Sequence, residues 1–283
     1  MNAPFEFHVA PWINAVVDWV LTHWGAVFDA FAQVVLSVLL DIQSALMWVP
    51  WWAVIALTAS ASFLITRRRV LPLVLAALVA VIMGFGLWSL AVQTLAVIIT
   101  SVALALAIGV PLGILMAEFD WVHAALQPVL DAMQTMPSFV YLIPAMMLFG
   151  LGKVPAVFAT FIYATPPVIR LTDLGIRQVS AQVQEAARAF GATRWQVLKE
   201  VRLPLAMPAV MTGVNQTTMM ALSMVVIASM IGARGIGQPV LLAINRIDVG
   251  GGFEAGFAVV ALAIVIDRLT QGVARRWEAP SPK

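Results

Sequence analysis

Residues 70–117 contain no charged side chain, and this stretch constrains the fold more than any other feature of the sequence. At about 20 residues per crossing of a bilayer, its length corresponds to two membrane-spanning helices. We expect the bend between them near residues 88–93. The chain as a whole is 62% hydrophobic with a mean hydropathy of +0.96. A soluble domain needs a larger polar surface, so the sequence predicts an all-α, polytopic membrane protein.

Five further apolar stretches bring the predicted number of spans to about seven. They are residues 49–66, 132–152, 154–169, 205–233 and 252–269. The first of them is flanked by interfacial tryptophans and by Arg67, Arg68 and Arg69. The short span over 154–169 is expected to end at Pro166 and Pro167. Residues 47–272 therefore form the predicted transmembrane domain, followed by a tail over 273–283.

Residues 1–46 are predicted to contain an amphipathic helix on the outer side of the membrane. Polar residues recur at helical spacing through this segment and form one stripe. They are Asn14, Asp18, Thr22, Asp29, Gln33, Ser37 and Asp41. Aspartates are costly within hydrocarbon, so we expect the helix to lie in the membrane interface. The alternative is an eighth span that lines the bundle.

The distribution of lysine and arginine predicts the orientation of the chain. With seven spans and the N-terminus outside, thirteen of these residues lie on the inner face and three on the outer face. Positively charged loops stay in the cytoplasm. The N-terminus is therefore expected in the periplasm and the C-terminus in the cytoplasm, together with a polar loop over residues 171–204.

The sequence also restricts the energy source. All fourteen acidic residues lie outside the predicted spans or near their ends, with Glu254 and Asp267 closest to the hydrocarbon. Ion-coupled carriers commonly keep such groups near the midplane, so ion coupling is disfavoured, although sodium sites made of carbonyls and hydroxyls stay open. No phosphate-binding loop is present. The chain is not expected to be an enzyme, and energy for transport must come from another subunit.

Residues 185–204 form a polar segment between two apolar stretches. We predict a short helix over 182–190, a stop at Gly191, and a second helix from Thr193 to Arg202. Glu185 offers a charge-assisted bond to a partner, and Phe190 and Trp195 offer apolar anchors. The alternative is an ordinary solvated loop with incidental helices.

This segment resembles the EAA loop of ABC-importer permeases. The resemblance rests on Glu185, Ala186, Ala187, Phe190, Gly191, Ala192 and Trp195, with Leu203 and Pro204 following. It implies a type I ABC importer fold whose loop is a coupling helix seated on an ATPase subunit. It also implies a bacterial inner-membrane location, an extracytoplasmic substrate-binding protein and a second permease copy. ATP and Mg would bind the ATPase, so no cofactor is expected in this chain.

Two further stretches resemble permeases for glycine betaine, proline betaine and choline. They are residues 131–144 and 221–232, followed by Gly235, Gly237, Arg246 and Asp248. Arg234 departs from the pattern, because relatives tend to have a small residue there. The resemblance spans roughly residues 46–272. It leaves open an ABC permease for another small solute such as an amino acid, an ion-coupled secondary carrier, and a non-transporting scaffold.

A path for a quaternary ammonium cation is expected to be weakly polar and aromatic, because ring faces hold such cations. The candidate lining residues are Phe139, Tyr141, Tyr163, Asn215 and Thr218, with Gln216 and Thr217 in the same polar cluster. For each, the alternative is packing between helices. The small net charge of +2 gives no reason to expect nucleic acid as a partner.

Overall fold

The computed structural model describes residues 10–66 and 70–274, and every regular element in these ranges is a helix. The α-helices are α1 (Ala10–Trp48), α2 (Trp51–Thr66), α3 (Val70–Gly84), α4 (Trp88–Glu118), α5 (Asp120–Thr135), α6 (Leu142–Phe149), α7 (Lys153–Ala164), α8 (Pro166–Arg177), α9 (Ala181–Ala189), α10 (Arg194–Gln196), α11 (Leu203–Ala228), α12 (Gly237–Arg246) and α13 (Val249–Ala274). Short 3-10 turns occupy Ser138–Tyr141 and Ser229–Ile231, and a π-helical turn occupies Val197–Arg202. The predicted all-α class is confirmed.

The apolar helices agree with a multi-pass membrane protein. Among the described residues, five helices are long and apolar enough to cross a membrane, and a bent pair of helices adds a sixth candidate. The helices α2 and α3 are apolar but shorter, with 16 and 15 residues. The uncharged stretch does form two helices, as predicted. The break between them falls at residues 85–87, just before the predicted bend.

The N-terminal helix α1 is longer than predicted, with 39 residues. Its C-terminal half packs against the bundle, where Val35 and Leu39 are buried. The ring of Phe31 lies 6.0 Å from that of Phe149, and Gln43 accepts a hydrogen bond from the Lys153 ammonium at 2.6 Å. The predicted helix is confirmed from Ala10 onward. Its length and composition also suit a membrane span, the alternative for this segment.

The predicted fourth span, 132–152, is wrong as a continuous helix. The helix pair Asp120–Thr135 and Ser138–Phe149 is bent by 111°. Met136 has extended backbone angles and is followed by Pro137. A proline disfavours the helical conformation of the residue before it, so the helix ends there. The residues between the predicted spans 70–117 and 132–152 form most of the helix α5.

The predicted end of the fifth span is also wrong. Pro166 and Pro167 begin α8, and α7 and α8 together form a 25-residue candidate span, Lys153–Arg177. Proline is tolerated in the first turn of a helix, so these residues continue the rod instead of ending it. The sixth span likewise begins earlier than predicted. It runs through the π-helical turn as one candidate span, Arg194–Ile231.

The core of the bundle forms around α4 and α11. Both pack against α7 and α8, and α13 packs along α11. The main apolar cluster joins residues from α1, α3, α4, α7, α11 and α13, and includes the fully buried Leu39, Ile82 and Val97. This packing holds the two ends of α11 in fixed positions. One end carries the polar loop, and the other meets the outer turn over residues 232–236.

Candidate coupling site and solute path

The helix α9 projects from the bundle, and none of its nine residues is buried. Gly191 follows it with a φ of +87°, a conformation that favours glycine. The N–H groups of Gly191 and Ala192 donate to the carbonyls of Arg188 and Ala187 at 2.9 and 3.1 Å, and so satisfy the end of the helix. The predicted short helix and its stop at Gly191 are confirmed.

Thr193 caps the second helix of the loop, as predicted. The side-chain oxygen of Gln196 accepts a hydrogen bond from the Thr193 N–H at 2.8 Å, and the Thr193 hydroxyl accepts one from the Gln196 N–H at 3.4 Å. This reciprocal arrangement is a capping box. The helix then continues through the π-helical turn into α11, so movement of the loop acts directly on a spanning helix.

Seven residues of this loop carry the resemblance to a coupling motif, and we call them the coupling surface. They are Glu185, Ala186, Ala187, Phe190, Gly191, Ala192 and Trp195. Phe190 is 94% exposed and Trp195 is 68% exposed, while Ala187 and Ala192 are half-buried. Large exposed aromatic side chains on a polar loop indicate a surface that a partner covers. The role of each residue in coupling stays a prediction.

Arginines at both ends of the loop join it to one corner of the bundle. Arg202, in the π-helical turn, pairs with Glu118 at the end of α4, and both side chains are largely buried. Arg177, at the end of α8, donates to Asp120 at 2.8 Å and to the carbonyl of Met116 at 2.6 Å. We call Glu118, Asp120, Arg177 and Arg202 the cytoplasmic brace, after the side of the membrane predicted for the loop. It ties both ends of the loop to the α4–α5 junction.

Apolar and charged contacts reinforce the brace. Leu198 is buried in a cluster with Ile176, Val210 and two alanines, so the π-helical turn is anchored in the bundle. The carboxylate of Asp173 is buried and accepts a bond from Arg177 at 2.8 Å. His123 Nδ1 lies 2.9 Å from the other oxygen of Asp173. Arg170 pairs with Asp131.

Sequence reasoning did not identify this ion-pair network. The only local signal is the spacing of four between Asp173 and Arg177, which places them on one helix face. The partners Glu118 and Arg202 are 84 residues apart, and Asp120 and Arg177 are 57 apart. Such pairs form only when the helices pack against each other. The residue pattern of a single segment carries no information about that packing.

The aromatic candidates for the solute path lie together on one side of the bundle. The rings of Tyr141 and Tyr163 are 5.6 Å apart in an edge-to-face arrangement. Tyr141 is buried, and its hydroxyl donates to the carbonyl of Met133. Phe139 is 58% exposed. Phe139 therefore offers a ring face to a solute or a second chain, whereas Tyr141 serves the packing of the bent pair.

The polar candidates Asn215 and Thr218 are engaged in contacts within the bundle. Asn215 accepts a hydrogen bond from Thr270 at 2.6 Å and donates to Asp267 at 3.4 Å, both on α13. Thr218 is buried and donates to the carbonyl of Val214 at 2.8 Å. These contacts agree with the alternative given for both residues in the sequence analysis, which is packing between helices instead of lining the solute path.

A different face of α11 is open and polar. Its exposed side chains form one stripe along the helix. They are Leu205, Thr212, Gln216 and Ser223, with Met230 continuing the line in the following 3-10 turn; Pro204 in the first turn of the helix is also exposed. The spacings of seven and four keep them on the same face. Within the described part of the chain, the Gln216 amide makes no hydrogen bond. Thr212 and Ser223 were not among the sequence candidates, although heptad spacing of polar residues could have indicated them.

A multi-pass helical bundle with a projecting, partner-facing loop belongs to the class of membrane permeases. The family model described as "Binding-protein-dependent transport system inner membrane component" matches residues 109–279. The chain belongs to this family, and it is a multi-pass protein of the inner membrane. Systems of this kind include a substrate-binding protein and an ATPase, so the chain works with both kinds of partner.

Curated relatives cover nearly the whole chain. The glycine betaine/carnitine transport permease protein GbuB of Listeria monocytogenes is 48% identical over 93% of this chain and 94% of its own length. The glycine betaine/proline betaine permease ProW of Escherichia coli is 45% identical over 99% of this chain and 82% of its own length. The glycine betaine permease OpuAB of Bacillus subtilis is 42% identical, with 92% coverage of both.

Solved structures support the fold. A chain of the MetNI methionine ABC transporter, in an inward-facing conformation, matches with a TM-score of 0.62 at 20% identity. The match covers 70% of this chain and 98% of that chain. At this identity the likeness concerns the fold alone, and it confirms the predicted type I importer architecture.

Proposed function

We propose that the chain is the permease subunit of an ATP-driven importer for quaternary ammonium compatible solutes, such as glycine betaine, proline betaine or choline. The observation that carries the proposal is the coupling surface held on the cytoplasmic brace. Relatives of 42 to 48% identity, which are named as glycine betaine permeases, support the solute class. The chain itself has no enzymatic role, and ATP and Mg bind the partner subunit.

The coupling surface receives the movement of the ATPase. Phe190 and Trp195 insert into the partner as apolar anchors, and Ala186 and Ala187 allow close approach of the two backbones. The loop is fixed to the bundle at both ends by Arg177 and Arg202. A displacement of the loop therefore moves α8, α11 and the α4–α5 junction together. That concerted movement would switch the permease between outward and inward openings.

The solute path forms between two copies of the chain, which we take to be identical. The open stripe of α11 supports this arrangement, because the Gln216 amide would be costly against lipid. A second copy, or the water-filled path between copies, gives these side chains a polar environment. Phe139 supplies exposed aromatic surface near the bent pair, where the buried Tyr141 packs against Tyr163.

The outer face receives the substrate-binding protein. The N-terminal segment, 1–46, lies on the periplasmic side, and the tail over 273–283 lies in the cytoplasm. Lys153 and Arg234 lie near each other and give this face a positive charge. Arg234 is exposed. A binding protein that docks here is expected to present acidic residues, because complementary charge steers association.

The test is uptake by the reconstituted complex of permease, ATPase and binding protein. We expect ATP-dependent accumulation of labelled glycine betaine, with no accumulation when ATP is replaced by an ion gradient. A methionine substrate offered through the same binding protein serves as the control. Uptake driven by an ion gradient without ATP would contradict the importer, and ATP-driven uptake of an amino acid but no betaine would contradict the solute class.

A further inference from the structure

A groove between α11 and α13 opens beside the polar stripe of α11. Its volume is about 280 Å³. Its walls are mainly aliphatic, with Ser223 and Asp267 as the polar members. The lining residues are Met219, Leu222, Ser223, Val226, Val259, Val260, Ala263, Ile264 and Asp267. Ser223 and Val260 are exposed, so the groove is open at the surface of the single chain.

Asp267 is the one charged residue of this groove, and it lies well inside the helix α13. The helix continues for seven residues to Ala274, which corresponds to about 10 Å of rise. The sequence prediction ended this span at residue 269 and so placed Asp267 close to the boundary. Arg268, Thr270 and Gln271 follow it, so Asp267 lies toward the polar end of the helix, and an acidic group that lines an otherwise apolar groove there is a candidate functional group.

Neighbouring groups hold the Asp267 carboxylate in a defined position. The amide of Gln271 donates to its two oxygens at 2.7 and 2.9 Å, and Asn215 donates at 3.4 Å. The amide donors are neutral, so they orient the carboxylate without removing its charge. Arg268 lies 3.9 Å away and is 47% exposed. At 3.9 Å this is a long ion pair, so Arg268 neutralises the Asp267 charge only in part.

We propose that this groove is a binding subsite for the trimethylammonium group of the transported solute, with Asp267 as its counter-ion. The inference rests on the proposed function, because it assigns one step of that solute's route. A quaternary ammonium group donates no hydrogen bond and presents methyl groups around a positive charge. Aliphatic walls that end at one fixed carboxylate provide apolar contact for the methyl groups and an opposite charge for the nitrogen, in place of the ring faces expected from the sequence.

The subsite makes Asp267 a residue that positions the solute beside the α11 stripe. A purely structural role, in which Asp267 only joins α13 to α11 through Asn215, is the competing explanation. The two differ in one property. A structural clamp leaves the groove without solute, whereas a counter-ion binds the solute there and so protects the groove from other cations. The test therefore measures charge selectivity within the groove together with its loss when the solute is bound.

The sequence contains no cysteine, so a single thiol can report on the groove. The Ser223→Cys variant is reconstituted with its ATPase and binding protein, and the label is measured on the permease band. Two methanethiosulfonate reagents are compared, one with a trimethylammonium group and one with a sulfonate group. After correction for their rates with a free thiol, we expect the cationic reagent to react about tenfold faster.

Adding Asp267→Asn is expected to abolish most of this preference, while adding Glu254→Gln leaves it unchanged. Glu254 is the matched control because it is an exposed acidic residue of the same helix outside the groove. Saturating glycine betaine should slow the cationic reagent only when Asp267 is present.

Three results would overturn the subsite. They are a preference that survives Asp267→Asn, no protection by betaine when Asp267 is present, and no reaction with either reagent, which would put the groove against lipid. Uptake by the unmodified complex is measured separately. If the groove is charge-selective but the complex imports no betaine, the proposed function is contradicted. The groove would then remain a cation-binding site for a different solute.

Discussion

The two ends of the bundle are held together by different chemistry. On the predicted cytoplasmic side, ion pairs link α4, α5, α8 and the π-helical turn, as in Glu118–Arg202 and Asp120–Arg177. On the predicted outer side, no ion pair joins two helices among residues 10–66 and 70–274. The polar contacts there are single hydrogen bonds, such as the Thr94 hydroxyl that accepts from the Ile236 N–H at 2.8 Å and the Gln43 side chain that accepts from the Lys153 ammonium at 2.6 Å.

This difference corresponds to the two tasks of an alternating-access permease. A loop that receives force from a partner must be fixed to the helices it moves, and charge-assisted bonds, among them the largely buried Glu118–Arg202 pair, give a directional link. An outer end that must open is better closed by single hydrogen bonds, each of which costs little to break. Substitutions at each end test whether the two ends differ in this way.

Removing one partner of the cytoplasmic brace should have the largest effect. Arg202→Met leaves Glu118 largely buried without its cation. We expect a loss of about 3–5 kcal/mol in the free energy of unfolding, because an uncompensated buried charge is costly. The measurement is the unfolding of the purified permease in detergent, together with ATP-driven uptake.

A double-mutant cycle sharpens this test. Glu118→Gln and Arg202→Met are measured singly and together, and the double variant should be less destabilised than the sum of the single variants. If the two losses simply add, the residues do not act as a pair and the brace is not a link.

Truncating the exposed anchor of the coupling surface should weaken binding and leave stability unchanged. Phe190→Ala removes a side chain that is 94% exposed. We expect the affinity for the ATPase to fall by about 2 kcal/mol or more, as for a central interface anchor. Val249→Ala, which truncates an 81% exposed side chain at the predicted outer end, is the control. Equal affinity of both variants would rule out Phe190 as an anchor.

At the outer end, Thr94→Val removes a hydroxyl and keeps the shape of the side chain. The buried N–H of Ile236 then loses its acceptor, and we expect a loss of about 1–3 kcal/mol in the free energy of unfolding. The effect should be smaller than that of Arg202→Met. A larger loss at Thr94 than at Arg202 would reverse the comparison between the two ends.

The turn after α9 should show the smallest effect. Gly191→Ala adds a side chain at a φ of +87°, and we expect a cost of about 1–2 kcal/mol, seen as weaker ATPase binding. Gly256→Ala is the control, because that glycine lies within a helix and an added Cβ would meet no atom within 4 Å. Unchanged binding in Gly191→Ala would mean that the turn need not keep this conformation.

Local features of the fold were predictable because they depend on neighbouring residues. Gly191 ends a short helix and Thr193 caps the next one, and both follow from the residue types at those positions. The same local rules gave a wrong prediction at two prolines, with opposite errors. Pro137 breaks a span that was predicted to be continuous, whereas Pro166 starts a helix that continues one.

The solute path was less predictable, because the direction of a polar side chain on α11 depends on its neighbours. Asn215 and Gln216 are adjacent and similar in chemistry. Asn215 is bonded to α13, and Gln216 is exposed on the open stripe. The cytoplasmic brace was hidden for the same reason, since Arg202 meets Glu118 only after the bundle has formed. The charged residues identified the loop in the sequence. The packing of the helices determines which residues hold the loop on the bundle.

The central claim is that the coupling loop drives the bundle through its brace, and the number of solute molecules imported per ATP hydrolysed tests it most directly. The measurement compares proteoliposomes of the unmodified complex with those carrying Arg177→Met and Arg202→Met, at equal amounts of assembled complex. We predict that the variant still hydrolyses ATP while betaine import per ATP falls by about tenfold or more, because the link at each end of the loop is lost. Import per ATP that stays unchanged in the variant would contradict the account.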